Sequence, residues 1–403
     1  MTKILKPNTE DEMAEAVAKA AGNGMRVRIA GGGTRPVGNP VEADCTIHTA
    51  GLSGITLYEP DALTIAARAG TPLSEIEAAL AREGQHLSFE PAIWAGLMGT
   101  PGKSTIGGVV AAGVSGPRRV QAGGARDSLI GVRFVSGEGK LLKNGGRVMK
   151  NVTGYDLVKL LAGSHGTLGI LTEVTFKVLP KPHATGTVSV SGLDDHDAVS
   201  VLSAALGSPF DVSGAAHLPK GDGGSPVTLI RVEGLAKSVD YRTGRLKELI
   251  AQKLGNGAEI AVEQDSDKAT APWRDVRDVS TFAGREGAVW RISVKPTDGP
   301  RIADVIRDAG EAEFIFDWGG GLVWALVPDH GDACAALIRN TVGAMGGHAT
   351  LMRASKETRD RVEAFQPDLP RVGQISEMIR RQFDPMNILN PGLMARNLSG
   401  KAA

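Results

Sequence analysis

Glycine constrains this chain more than any other residue does. Gly31-Gly32-Gly33 follows the alternating segment Arg26–Ala30, and Gly107-Gly108 lies in a stretch from Phe89 to Gly116 made almost wholly of Gly, Ala, Pro, Ser, Thr and small apolar side chains. Gly163, Gly166 and Gly169 then recur every third residue. Backbone this poor in side chains can turn tightly, press against other backbone, or lie against a flat ligand. No collagen-like period or low-complexity tract accounts for the 53 glycines among 403 residues, roughly twice the usual share.

The length predicts two or three domains. Lys and Arg total 45, as do Asp and Glu, so no electrostatic case exists for nucleic acid or an anionic membrane surface. Cys45 and Cys334 form no CxxC motif, which favours a reducing compartment. The start turns acidic by Glu10-Asp11-Glu12, where a secretion signal needs an apolar stretch. The longest uncharged runs, Cys45 to Tyr58 and Ser104 to Pro117, are too short to span a bilayer. A soluble, cytoplasmic protein without a membrane span is expected.

Thr9 and Glu12 form a capping box opening a helix to about Ala21, and Arg26–Ala30 alternates like a strand. A strand at 63–69, a helix at 73–82, strands at 131–136 and 140–142, a helix from Leu157 capped by Asp156, and a strand at 171–179 follow. Pro180-Lys-Pro182 is the best domain boundary. Beyond it, strands at 185–191, 212–218, 227–232, 259–263, 288–295 and 348–353, a hairpin at 313–327, and helices at 195–206, 238–254 and 332–342 suggest an antiparallel sheet with helices on one face. A last helix, Val372–Phe383, stops at Asp384-Pro385. The expected fold class is α+β.

Arg28-Ile-Ala-Gly-Gly-Gly-Thr-Arg-Pro36 is not a Rossmann fingerprint, because Pro36 and Pro40 prevent a helix from following. Its N–H groups can still form an anion-holding nest; a turn without a ligand is the plainer alternative. Gly102-Lys103-Ser104 lacks the upstream glycine of a phosphate-binding P-loop, since Leu97 stands there. Lys150 could bring a charge to a ligand or sit in solvent. His165, within the third glycine loop, reads as solvent-facing. Trp318 and Trp324 read as core. The eight histidines show no i, i+3 or i, i+4 pairs, and no metal site is expected.

In order and spacing, Gly31–Pro36, Thr105-Ile-Gly-Gly108, Lys150-Asn-Val-Thr-Gly-Tyr-Asp156, Gly163-Ser-x-Gly-Thr-Leu-Gly-Ile170 and Phe383-Asp-Pro-x-x-Ile-Leu-Asn-Pro-Gly392 resemble the FAD-linked oxidases of the vanillyl-alcohol-oxidase type. Ser115-Gly-Pro-Arg-Arg119, Arg126-Asp127 and Met149–Asp156 are most similar to the FAD-binding subunits of bacterial glycolate oxidases. The resemblance implies an FAD-binding domain of two α/β subdomains at 1–182, a cap at 183–371, and a tail at 372–403 returning to the flavin domain. It implies that Gly31, Gly32, Gly33, Thr34, Arg35 and Pro36 wrap the pyrophosphate. Thr105, Ile106, Gly107 and Gly108 line the pyrophosphate–ribitol region, Ser115 and Gly116 the adenosine side, Gly169 and Ile170 the adenine end, and Asn390 approaches the isoalloxazine. Some members tether FAD through a histidine in the first loop; Thr34 and Arg35 stand there instead, so the FAD is expected to be non-covalent.

The His-rich motifs of related hydroxyacid oxidases are missing, and no catalytic base is assigned. Arg353 and Arg291 are the candidates for a substrate carboxylate. The implied role is an accessory or electron-transferring subunit beside a catalytic flavoprotein and an iron–sulfur subunit in a complex that oxidises a small 2-hydroxy acid, with any contact at the inner membrane made through those partners. Two alternatives stand beside it: a self-sufficient FAD-dependent D-2-hydroxy-acid dehydrogenase, and a structural subunit with a decayed flavin site.

Overall fold

The computed structural model describes residues 3–146, 154–255 and 257–396. Lys150 and its neighbours Asn151 to Thr153 lie outside the described residues.

The first lobe holds two sheets. A parallel sheet orders Lys3–Leu5, Cys45–His48 and Val27–Ala30, and helix Glu10–Gly22 buries Met13, Val17 and Ala20 against it. The predicted cap is present, with Thr9 Oγ1 accepting from Glu12 N at 3.1 Å. The Glu12 carboxylate reaches Asn8 N rather than Thr9 N. An antiparallel sheet orders Ile55–Glu59, Thr64–Arg68, Ile170–Lys177, Leu129–Val135 and Leu141–Gly145. The strands at Cys45–His48 and Ile55–Glu59 were hidden in one uncharged run, where no charge marks the alternation.

Residues 184–353 supply one eight-stranded antiparallel sheet, ordered Ile260–Glu263, Ala184–Ser191, Val227–Gly234, Val212–Leu218, Glu313–Asp317, Leu322–Val327, Ala288–Ser293 and His348–Arg353. It consists of two β-α-β-β-α-β units joined where His217 pairs with Phe316. The sequence suggests the alternation without the duplication, because the second unit's first helix, Gly299–Ala309, opens on Gly299-Pro300 and reads as a turn. Pro300 occupies the first helical turn, where its missing N–H costs nothing. Helix Ser266–Asp278 is likewise disguised by an internal Pro272.

One face of this sheet is covered by helices through Val201, Leu202, Leu246, Ile302, Ile306 and Ile338. The other face packs Ala216, Leu229, Val289, Ile315, Trp324 and Met352 into the first lobe's core. Trp324 is core, as expected; Trp318 is only half-buried. The tail returns to the first lobe. The Asp384 carboxylate accepts from Ile388 N and Leu389 N, and Val27 exchanges backbone bonds with Ile388 and Asn390.

Candidate functional site

A cavity of about 500 Å³ opens where the end of strand Val27–Ala30, the start of helix Ile106–Ala111, the 165–171 loop, the cap segment 354–359 and the tail meet. Gly31 to Pro36 form one wall, with Thr105, Gly107, Gly108, Gly169, Ile170 and Asn390 around it. The backbone N–H groups of Gly32, Gly33, Thr34 and Arg35 donate to no described residue. Arg28, Arg35, Lys356 and Arg359 also line the cavity, and no Asp or Glu among the described residues does. In a chain without net charge, a wall of cations and unmet donors is suited to an anion.

Each glycine here has its own reason. A Cβ on Gly32 would lie 1.6 Å from the Lys103 carbonyl oxygen, and one on Gly102 would lie 1.8 Å from the Gly32 carbonyl oxygen. These two backbones touch, so Gly32 is needed for packing and its missing side chain does not point at a ligand. Gly33 differs: its φ is +69° and a Cβ there meets nothing within 4 Å. Gly107 admits Ala69, whose Cβ would lie 2.6 Å from its own.

Several expected positions fall elsewhere. Ile106 is fully buried in the core, and Ile170 meets the cavity while its side chain packs against the parallel sheet. Ser115 and Gly116 are off the cavity wall. Ser115 Oγ accepts from Arg119, and Gly116 O accepts from Trp318 Nε1 at 3.1 Å. They are drawn into the contact with the eight-stranded sheet instead. Asn390 lines the cavity, but both ends of its amide are committed, to Ile29 N and His165 O, each at 2.8 Å. It ties the tail to the strand Val27–Ala30 and to the His165 loop. Arg353 is removed as a carboxylate ligand, because its guanidinium donates to the carbonyls of Leu97, Phe282, Arg285 and Gly287.

His165 is not solvent-facing. It lines the cavity at φ +51° and meets the Phe365 ring edge-on at 5.0 Å. Burial pulls its pKa down to about 4, as burial and then the Arg118 charge do for His86. The unfolded chain therefore binds protons that the folded one refuses. Stability is expected to fall as pH drops from about 6.5 toward about 4. Melting temperatures of wild type and His165→Gln across that window test this; the variant should show the shallower acid slope.

The sequence reading missed Arg28, Lys356 and Arg359. Arg359 donates to the carbonyls of Pro36, at 3.1 Å, and Gly38, at 2.7 Å, fastening the cap to the first glycine loop. Helix Lys356–Arg361, six residues rich in charge, gives no apolar period by which to find it. Arg35 is pulled down to about 10 by burial, against the pull of Asp278, and stays a cation at neutral pH. Its Nη2 donates to Ala92 O, while its buried Nε has no partner.

Residues 2–145 match the profile of the FAD binding domain. The chain is 34% identical over 363 residues to the glycolate oxidase subunit GlcE of Escherichia coli, covering 90% of each chain. The chain belongs to the FAD-linked oxidase family of GlcE. It is also 23% identical over 447 residues to the glycolate oxidase subunit GlcD of Bacillus subtilis, covering 97% of this chain and 88% of that one. The fold is shared with a solved alkyldihydroxyacetonephosphate synthase at TM-score 0.69 and 18% identity, over 96% of this chain and 75% of that one. The vanillyl-alcohol-oxidase-type α+β class expected from the sequence is the one observed. Members of the GlcE family are FAD-linked oxidoreductases, and FAD is the cofactor. The cavity fits it: unmet N–H donors and four cationic side chains line its wall, as suits a diphosphate. No described helix is long and apolar enough to cross a membrane.

Proposed function

We propose that this chain carries dissociable FAD in the cationic cavity and serves an assembly oxidising glycolate-type 2-hydroxy acids to 2-oxo acids. Its part there is accessory or electron-transferring, beside a catalytic flavoprotein and an iron–sulfur subunit in the cytoplasm. The observation that carries the reading is the cavity wall itself, with four cations, no carboxylate and a run of acceptor-free N–H groups, in a chain this similar to a GlcE subunit.

In this reading Gly31, Gly32, Gly33, Thr34, Arg35 and Pro36 surround the diphosphate, with Thr105, Gly107 and Gly108 beside it. Gly169 and Ile170 offer backbone to the remainder, and Asn390 fixes the loops. Bound FAD supplies two-electron chemistry; the chain's residues bind it, neutralise its phosphates and exclude water. Residues 1–182 act as the flavin unit and 183–371 as the cap, with 372–403 returning, which agrees with the division of the sheets. The iron–sulfur partner is inferred from the cysteines: Cys45 and Cys334 lie in separate cores, whereas such clusters take about four thiolates.

The test is an anaerobic glycolate titration of the purified, FAD-loaded chain. The visible flavin band is expected to persist until the partner subunits are added. Bleaching of the isolated chain would make it a self-sufficient dehydrogenase. Protein left colourless in excess FAD would mark a decayed site.

A further inference from the structure

The last helix, Pro370–Phe383, is 14 residues long and not one of them is buried. A helix of this length is marginal by itself in water and is normally held by packing one apolar face. Val372 and Gly373 weaken it further. Only its inner edge is anchored. Ile379 and Phe383 pack half-buried on the first lobe's core, where Phe383 meets the Phe134 ring at 6.1 Å.

The rest of the apolar face is bare. Leu369, just before the helix, is 75% exposed, Ile375 57% and Met378 67%, with Val372 exposed between them. These positions recur every third residue, so their side chains adjoin in one stripe. Apolar surface continues past Phe383 onto the folded lobe. Phe134 stands opposite Leu142 in the antiparallel sheet, so the two side chains share a face, and Leu142 is exposed on the sheet's edge strand. Exposed apolar residues scattered singly are ordinary, whereas a continuous stripe beside an edge strand marks a contact surface.

The charges decide what covers it. The helix carries Arg371, Arg380 and Arg381 against a single carboxylate, Glu377. Arg380 donates to the Leu389 carbonyl and Arg381 to Glu377. Arg371 is exposed and pairs with no described residue, although it lies in the first helical turn, where the helix dipole opposes a cation. A second copy of this chain would bring the same excess of arginine against it. A bilayer would gain little, since a single free cation beside a short apolar stripe falls short of the two signals that stable anchoring takes. An apolar groove with a carboxylate at one end, on a different protein, satisfies both the stripe and Arg371.

We propose that the exposed face of helix Pro370–Phe383 is the docking surface for another protein subunit, which receives it in an apolar groove and offers a carboxylate to Arg371. The face and the chemistry it demands stand on the helix itself. That the partner is a subunit of the assembly oxidising 2-hydroxy acids rests on the proposed function.

The test titrates the full-length, FAD-loaded chain against the purified catalytic flavoprotein and iron–sulfur subunits and measures association. Saturable binding is expected, weakened about tenfold or more when Ile375→Gln and Met378→Gln are combined, and several-fold in Arg371→Glu. All three side chains are exposed, so flavin retention and the melting temperature of the isolated chain should match wild type, which separates docking from folding. Wild-type affinity in both variants overturns the docking face and leaves the assembly standing. Failure of the wild type to bind either subunit overturns the partner named here and the assembly reading with it. Self-association of the isolated chain that the double variant abolishes would put a second copy on this face and overturn the proposal. Flotation with phosphatidylglycerol vesicles that the double variant abolishes would put a lipid surface there and overturn it too.

Discussion

Gly32→Ala is expected to abolish flavin retention and to lower the melting temperature by roughly 4 °C, for about 3 kcal/mol of lost stability. The added methyl would stand 1.6 Å from the Lys103 carbonyl oxygen. No rotamer relieves a clash at Cβ, so the two backbones must separate, and with them the wall that holds Gly33 to Arg35 in place. Gly102→Ala is expected to behave alike, because its methyl would stand 1.8 Å from the Gly32 carbonyl oxygen although Gly102 lies off the cavity wall. Gly33→Ala separates packing from binding. Its Cβ points into open space, so the fold should bear only the roughly 1–2 kcal/mol penalty of a left-handed alanine. Flavin absorbance after gel filtration, paired with thermal melts, reads both effects. A Gly32→Ala protein as yellow and as stable as wild type would show that the contact is not needed.

The second large effect is expected at the joint between the lobes. Glu90 of the first lobe accepts both terminal nitrogens of Arg231 at 2.8 Å, and Arg231, on strand Val227–Gly234, is 1% exposed. Burial works to raise the Glu90 pKa, but the charge and hydrogen bonds of Arg231, with help from Arg118, outweigh it and hold the carboxyl below its usual range. Glu90→Leu takes from a buried guanidinium the carboxylate that both its terminal nitrogens bond, and a loss of about 3–5 kcal/mol is expected. Arg231→Met should cost a similar amount. Combining Glu90→Leu with Arg231→Met should restore much of it, since neither charge is then buried alone. A denaturant double-mutant cycle measures the coupling; additive losses would mean that the pair does not hold the lobes together. Glu233 contacts both Arg118 and Arg231, so some residual coupling through it is expected.

Much of the fold could be read in the sequence because its signals are local. Asp156 caps the helix Leu157–Leu161 where the sequence places it, its side chain accepting the backbone N–H of Lys159, and the helix Asp195–Leu206 has its predicted bounds. Strands Val212–Leu218 and His348–Arg353 have the bounds their composition predicts. Where prolines mask a helix, as at Gly299–Ala309 and Ser266–Asp278, the local signal misleads, because burial of Ile302, Ile306, Trp273 and Val276 overrides propensity.

The site divides along the same line. The sequence alone determined that the first glycine loop would be poor in side chains, that no helix could follow it, and that the last helix would stop at Asp384-Pro385. Those are properties of neighbouring residues. Only the tertiary structure decided what the glycines are for: Gly32 and Gly102 lie 70 positions apart in the chain, and the need for both comes from a backbone contact that no local pattern encodes. It likewise turned Arg353 into a brace for carbonyls, moved Ser115 and Gly116 to the Trp318 contact, and brought Arg359 of the cap to the first loop. A side chain's role depends on which donors and acceptors lie within about 3 Å of it, and in a chain this long those neighbours come from remote segments.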